Sequence, residues 1–531
     1  MAMLLGAAVA LLAVQAPAPL AVRVDRTRPA QNILSYGIAI SIPDAGSVIR
    51  GRTVVRYLPV GAGGPLRLDF DTVFTIDSLI ITDGHGHATP AAPLQWTFGR
   101  DGAITIRIPG ASRDTLAATI VYHGAPVDGL FIKLNIHGER SAFADNWPNR
   151  AHHWFPSNDH PLDKATATFA VEVPAKWRAI ANGTLMGVDT LAGGRTTWRW
   201  REDRPVPVYT MVIGAGRLTV APIPVPTGVP LSVWTFPEDS AFAVNGPFKR
   251  AAAIVDAFTR LVGPFPYEKL AHVESSTRFG GMENSSAIFY DERKYGDRTM
   301  QEDVVAHETA HQWFGDAVTE ADWHHLWLSE GFASYFAPLF HEAMHESTTF
   351  RARLDGERRV YLASTDVARP VIDTAEHDLF KLLNRNNYQK GALILHMLRR
   401  EVGDSAFFQG LRTYFATFRD STALTSDLAA VMSRAAGRPL DTFFRQWLLQ
   451  PGYPKLYLTS HCQNGRLAVE IEQIQPDSWG LWTMQLPVDI GGIRTTILID
   501  GRVTKYTHPS CGDVTLDPAR DYLLEVSQPL R

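Results

Sequence analysis

Two histidines four residues apart, His307 and His311, lie in the run VVAHETAHQWFGD, with Glu308 directly after the first. A helix turns about 100° per residue, so both imidazoles project from one face and can grip a single ion. Glu308 is displaced around the helix, badly placed for a ligand but able to reach a water on the metal, the geometry of a general base. A catalytic zinc needs three protein ligands and an open fourth position. Glu330, in WLSEGFASYF, has 18 residues between it and His311. That is room for the first helix to finish, a loop to turn and an antiparallel neighbour to bring the carboxylate back. Its flanks Trp327, Leu328, Phe332 and Tyr335 are apolar, and a buried carboxylate needs the counter-charge a metal supplies. A fourth protein ligand would leave no place for a reacting water, so His324 and His325 are assigned surface or capping roles.

Upstream, FGGMEN (279–284) follows a glycine pair, Gly280 and Gly281, with Met282, Glu283 and Asn284. Taken alone it reads as a glycine turn with a solvated carboxylate. Beside a peptide-cleaving metal site it has a second reading. The glycines would let an extended backbone approach a bound chain, and Glu283 would sit opposite a cationic amino terminus.

The elements that must position these residues fall into blocks. From about residue 21 to 222 alternating or β-branched runs such as YGIAISI (36–42), ATFAVEV (167–173) and TTWRWRED (196–203) predict an all-β domain. The proline-rich VAPIPVPTGVP (220–230) reads as a linker or edge-strand crossing. A 3.6-residue period then predicts a mostly helical domain over 223–452, with Pro338 expected to kink or end its helix. Alternation returns over 453–531, a small β-domain read as a sandwich. Its Cys462 and Cys511 are either a disulfide or two buried thiols.

The formal charge of -4, with 45% hydrophobic and 20% charged residues, carries no polybasic signature for nucleic acid or an anionic membrane. Residues 1–20 contain the apolar run Met3–Ala16, ended by a small residue and read as a secretory signal. Export to a bacterial periplasm or the cell exterior is the resulting expectation. No later segment approaches the roughly 20 apolar residues of a membrane span, so any membrane attachment would be this segment left uncleaved.

Four separated pieces, FGGMEN, VVAHETAHQWFGD, WLSEGFASYF and YQKGALILHML, agree in order with the aminopeptidase N family of zinc metallopeptidases. The chain resembles that family over about residues 30–455, and NWPNRAHHWFPSNDHPLDKAT (146–166) looks like a divergent form of its arginine-proline-aspartate segment. The resemblance implies a multidomain α+β fold: an N-terminal β-sheet domain, a thermolysin-like, mostly helical catalytic domain and a small C-terminal β-sandwich. It implies one zinc per chain on His307, His311 and Glu330, with Glu308 as base. Tyr388, on its own an ordinary core or interface aromatic, becomes the phenol that hydrogen-bonds the oxyanion. Gly280, Gly281, Met282, Glu283 and Asn284 become the exopeptidase loop, Met282 bordering the first side-chain pocket. The implied substrates are peptides with a free N-terminus.

Family members usually add a Gln or Glu from the β-domain to the amine clamp; FADNWPN offers Asp145 or Asn146 near that place. The chain has no counterpart of the long helical C-terminal domain of many relatives, so a more open site is expected. Leukotriene hydrolases of the same family share the loop and the zinc set, which makes a bifunctional epoxide hydrolase the alternative enzyme. A non-catalytic binding protein that kept the fold is the third reading, although here every ligand and base position is filled.

Overall fold

The computed structural model describes residues 20, 31–59, 65–83, 95–107, 114–225 and 228–529. The apolar run Met3–Ala16 lies outside the described residues. Alternation does what it predicts in the N-terminal third: along Asn32–Ser41, Ile33, Tyr36, Ile38 and Ile40 are buried. That strand pairs antiparallel with Ile49–Leu58 and parallel with Lys164–Pro174 inside a seven-stranded sheet. Four- and three-stranded sheets complete this part, and Arg140–Ala144 of the four-stranded one leads directly into the cavity wall at Trp147.

Strand Thr219–Ile223 pairs with Leu231–Thr235, at the edge of a five-stranded sheet that continues through Leu270–Ser275 and Ala287–Asp291 to the two-residue edge strand Gly281–Met282. The proline-rich segment thus begins inside the edge strand Thr219–Ile223, where the missing N–H of Pro222 is tolerated. The sheet was hard to read because Leu270–Ser275 and Ala287–Asp291 are buried throughout. Strands covered on both faces lose the apolar-polar alternation.

Helices follow. Ala251–Leu261 buries Ile254, Val255, Ala257 and Phe258 on one face, and a phenylalanine as fully buried as Phe258 contributes about 2–3 kcal/mol. Glu302–His311 carries the two histidines, and Trp327–Ala343 carries Glu330. Pro338 does not end the latter, which runs five residues further. Every residue from Trp327 to His341 is buried, and packing on all sides outweighs the roughly 3 kcal/mol a mid-helix proline costs. Among the described residues no helix is long and apolar enough to cross a membrane.

The last 80 or so residues form sheets of four and three strands, whose inward Leu456, Leu458, Val469, Leu486, Val488 and Ile497 are buried. Cys462 and Cys511 are joined, Cα atoms 5.7 Å apart across 49 residues. Closing a loop of that length is worth about 4 kcal/mol in the chain-entropy model. The N-terminal part is tied to the histidine-bearing helix through Lys164, whose half-buried ammonium donates to the carbonyls of Asp316 (2.7 Å) and Ala317 (2.9 Å), just past His311.

Candidate active site

One helix face and one glycine contact assemble the centre. His307 Nε2 and His311 Nε2 lie 3.2 Å apart, and Glu330 Oε2 stands 3.3 and 3.4 Å from them. A tetrahedral ion with bonds of about 2.0–2.1 Å requires its ligand atoms about 3.3–3.4 Å apart. Glu330 Oε2 is buried and accepts no hydrogen bond, an orphaned anion oxygen of the kind that a cation satisfies. The donor set therefore fits a metal ion in both spacing and chemistry. His311 Nδ1 faces Phe314 O at 3.2 Å and Ser329 Oγ at 2.9 Å. A proton donated to that carbonyl leaves the lone pair on Nε2, toward the other two ligand atoms.

Glu330 is reached by Tyr388 because two glycines meet. The Trp327–Ala343 helix crosses Gly391–Val402 where Gly331 faces Gly391, and a Cβ on Gly331 would lie 2.9 Å from the Gly391 Cα. A π-helical turn, Asn386–Lys390, leads into that second helix, and such turns recur at functional sites. Tyr388 Oη donates to Glu330 Oε1 at 2.7 Å.

The glycine pair upstream is equally determined. A Cβ on Gly281 would sit 2.1 Å from Glu308 Oε1 and 2.6 Å from its Cγ, so any side chain there would displace the Glu308 carboxylate. Carboxylate oxygens of Glu283 and Glu308 and a ring nitrogen of His311 all lie within 4.8 Å of one another. A cavity of about 220 Å³ is lined by Trp147, Phe279 to Glu283, His307, Glu308, His311, Glu330, Leu383 and Tyr388. A larger concavity, about 600 Å³ on the seven-stranded sheet, offers no comparable ligand set.

Burial governs the electrostatics. It pushes Glu308 well above the usual carboxylate range against the opposing charge of His311. It raises Glu283 to about 7, with His311 opposing and Glu330 adding repulsion. Burial lowers His307; at His311 it is outweighed by Glu283, Glu330 and Glu308, which hold that imidazole well above its ordinary value. Glu330, despite burial, is drawn down to about 2 by the two histidines. Three buried carboxylates converge here, and among the described residues no lysine or arginine hydrogen-bonds to any of them.

Of the residues singled out in the sequence, His307, Glu308, His311, Glu330, Tyr388, Gly280, Gly281, Met282 and Glu283 share this cavity. Asn284 does not: it is fully buried behind the loop, its amide without a protein partner. Nor does either suggested second anchor face the cavity. Asp145 is buried against Arg150 (2.5 Å) and Arg278 (3.5 Å), so its charge is already matched. Asn146 is committed to Met211 O and Trp154 Nε1. The N-terminal part contributes Trp147 instead, edge-on to Phe279, Trp323 and Phe380. His324 and His325 are buried rather than surface residues. Asp322 caps the backbone of His324 and bonds its ring, while His325 meets Thr425. Ser329 escaped notice in the sequence; a hydroxyl directly preceding a candidate ligand was the available signal.

Comparison with known proteins adds an independent strand. The model of the Peptidase M1 N-terminal domain matches residues 74–210, and that of the Peptidase family M1 domain matches residues 250–447. Aminopeptidase M1-B of Oryza sativa subsp. japonica is 30% identical over 379 residues, 66% of this chain and 42% of the relative. Glutamyl aminopeptidase of Sus scrofa is 26% identical over 397 residues, 71% of this chain and 41% of the relative. Tricorn protease-interacting factor F2 of Thermoplasma acidophilum is 25% identical over 405 residues, 71% and 49% respectively. The chain spans less than half the length of these curated relatives. With two of the family's domains matched in order, and His307, Glu308, His311, Glu330 and the glycine loop lining one cavity, the chain belongs to peptidase family M1, the family of aminopeptidase N.

Proposed function

We propose that this chain is a zinc-dependent aminopeptidase that releases N-terminal residues from peptides. The supporting observation is the position of Glu283, whose carboxylate lies within 4.8 Å of the Glu308 carboxylate and of His311. In an amino acid the amine nitrogen and the carbonyl carbon are only about 2.5 Å apart. An ammonium paired with Glu283 therefore brings the first peptide bond, and no later one, to Glu308.

A zinc ion held by His307, His311 and Glu330 would supply a Lewis acid and bring the pKa of a bound water towards about 7. Glu308 takes the proton from the attacking water and returns it to the departing amine. Tyr388 turns its hydroxyl from Glu330 Oε1 to the oxyanion that develops on the substrate carbonyl. The free edge of Gly281–Met282 offers main-chain groups to an extended substrate. Trp147, Phe279, Met282 and Leu383 give the cavity its apolar wall and keep water from the reacting bond.

The test is a panel of amino-acid amides and their N-acetyl counterparts, run on the metal-loaded wild type and on Glu283→Ala. Wild type cleaves only the free amines, and Glu283→Ala loses most of that activity. Equal cleavage of both series overturns the reading. Export belongs to the same proposal, supported by the apolar run Met3–Ala16 and the Cys462–Cys511 disulfide. Full-length chain recovered from cells with its first residues intact and both thiols free overturns that part.

A further inference from the structure

The loop that carries Glu283 has to be held in register with the helix that carries the histidines, and one side chain spans the gap. Gln312 caps the C-terminal end of Glu302–His311 and is completely buried. Its Nε2 donates to the main-chain carbonyl of Glu283 at 2.7 Å and to Asp316 Oδ2 at 2.8 Å. Its Oε1 accepts from the Ser286 N–H, also at 2.8 Å. A reversed amide would set its oxygen against two acceptors and its NH2 against a donor, so one orientation is possible. Asn284, between the two clamped residues, has no protein partner to fix the loop from within.

The far end of the loop is strained and heavily tied. Ser286 has a positive φ of 63°, unusual for a side chain other than glycine. Its hydroxyl accepts from the Gly183 N–H and donates to Glu202, and its carbonyl takes Lys269 Nζ. The Gly183 and Glu202 contacts anchor the loop to the N-terminal part, Lys269 ties it to the start of Leu270–Ser275, and Gln312 joins it to the Glu302–His311 helix.

We propose that Gln312 is a positioning residue for amine recognition: by clamping Glu283 O and Ser286 N–H it fixes the Glu283 carboxylate at one residue's distance from the metal and base. The proposal rests on the amine-recognition reading of Glu283. It assigns Gln312 no contact with substrate and no part in ligating the metal.

Gln312→Glu tests it most directly, since the shape is kept while the donor facing Glu283 O and Asp316 is replaced by an acceptor. Metal content stays at wild type, KM for free-amine substrates rises about 10-fold to 100-fold, and kcat falls much less. The preference for free over acetylated substrates shrinks by a similar factor. Gln312→Asn, one methylene too short to reach both Glu283 O and Asp316, gives the same pattern. Should neither variant fold, Asp316→Asn leaves every Gln312 atom in place and replaces with an amide the carboxyl acceptor that helps fix its orientation. A KM increase of a few-fold with unchanged metal is then expected. A wild type indifferent to acetylation overturns the amine reading and this proposal with it. A selective wild type whose folded, metal-loaded variants keep KM and selectivity overturns the clamp alone, as does a fall in kcat with selectivity intact.

Discussion

Among the described residues, two of the clusters that bring histidine and carboxylate atoms within metal-binding reach of one another bear comparison: His307, His311 and Glu330 in one, and His137, Asp239 and Glu274 in the other. They are built alike and satisfied differently. In the first, the three atoms stand 3.2–3.4 Å apart, the edge of a tetrahedron around an ion. In the second, His137 Nε2 is 2.6 Å from Asp239 Oδ2, the length of a charge-assisted hydrogen bond. Arg298 takes the other Asp239 oxygen at 2.6 Å, and Glu274 Oε2 accepts the Phe236 N–H at 2.9 Å. Burial, then the neighbouring Asp239 charge, raises Glu274 to about 10, so it remains a neutral acid. One cluster is neutralised by an arginine and a proton; in the other, among the described residues, no arginine or lysine hydrogen-bonds to a carboxylate. Residue type and proximity do not make a metal site. Ligand spacing and a deficit of positive charge do.

The hardest test of that distinction is metal content. His311→Ala removes one of three ligands, and bound zinc and all turnover should be lost together. His137→Ala should leave both untouched. Elemental analysis reads the result directly, and a wild-type protein that retains two ions per chain after dialysis breaks the comparison.

Within the first cluster, ligands and proton carriers should separate. Glu308→Gln keeps the three ligand atoms and removes the base, so turnover falls about 100-fold to 10,000-fold with zinc content unchanged. Loss of the metal in this variant would mean that Glu308 is itself a ligand. Tyr388→Phe is expected to lower kcat about 100-fold to 1000-fold with a small change in KM, since its hydroxyl meets charge that exists only in the transition state. A KM effect of the same size as the kcat effect would instead assign Tyr388 to ground-state binding.

The ligand pair was legible in the sequence because chemistry demands it locally: i and i+4 on a helix share a face whatever surrounds them. Glu330 was legible because a carboxylate among Trp327, Leu328 and Phe332 is costly without a cation. What escaped depends on partners distant in sequence. Gln312 acts on a loop 29 residues upstream, and Trp147 meets rings at 279, 323 and 380. Asp145 looked available as an amine anchor until Arg150 and Arg278 were found on it. Asn284 belonged to the motif, yet it does not line the cavity that the motif builds. Strands were read where one face is wet and missed where both are covered, as at Leu270–Ser275.

The smallest effect concerns the second cluster, and it appears in stability rather than in turnover. A carboxyl held near 10 in the fold and near 4.5 in the unfolded chain favours folding fully below pH 4.5. As pH rises above that value the unfolded state gains by ionising and the native state does not, so the contribution shrinks until about pH 10. Glu274→Gln keeps the shape and the acceptor for the Phe236 N–H while removing the proton equilibrium. The variant should therefore gain on wild type as pH increases, by about 1–4 kcal/mol between pH 5 and pH 8, read from denaturant midpoints at each pH. At pH 5 the two proteins should be nearly equal, and activity per bound zinc should match throughout. If Glu274 were a metal ligand the sign would reverse at high pH: the variant would fall below wild type where a deprotonated carboxylate binds best, and added zinc would widen the gap. A difference that stays flat from pH 5 to pH 8 would mean that Glu274 titrates as in the unfolded chain, and the proton that sets this cluster apart from the first would have to be found elsewhere.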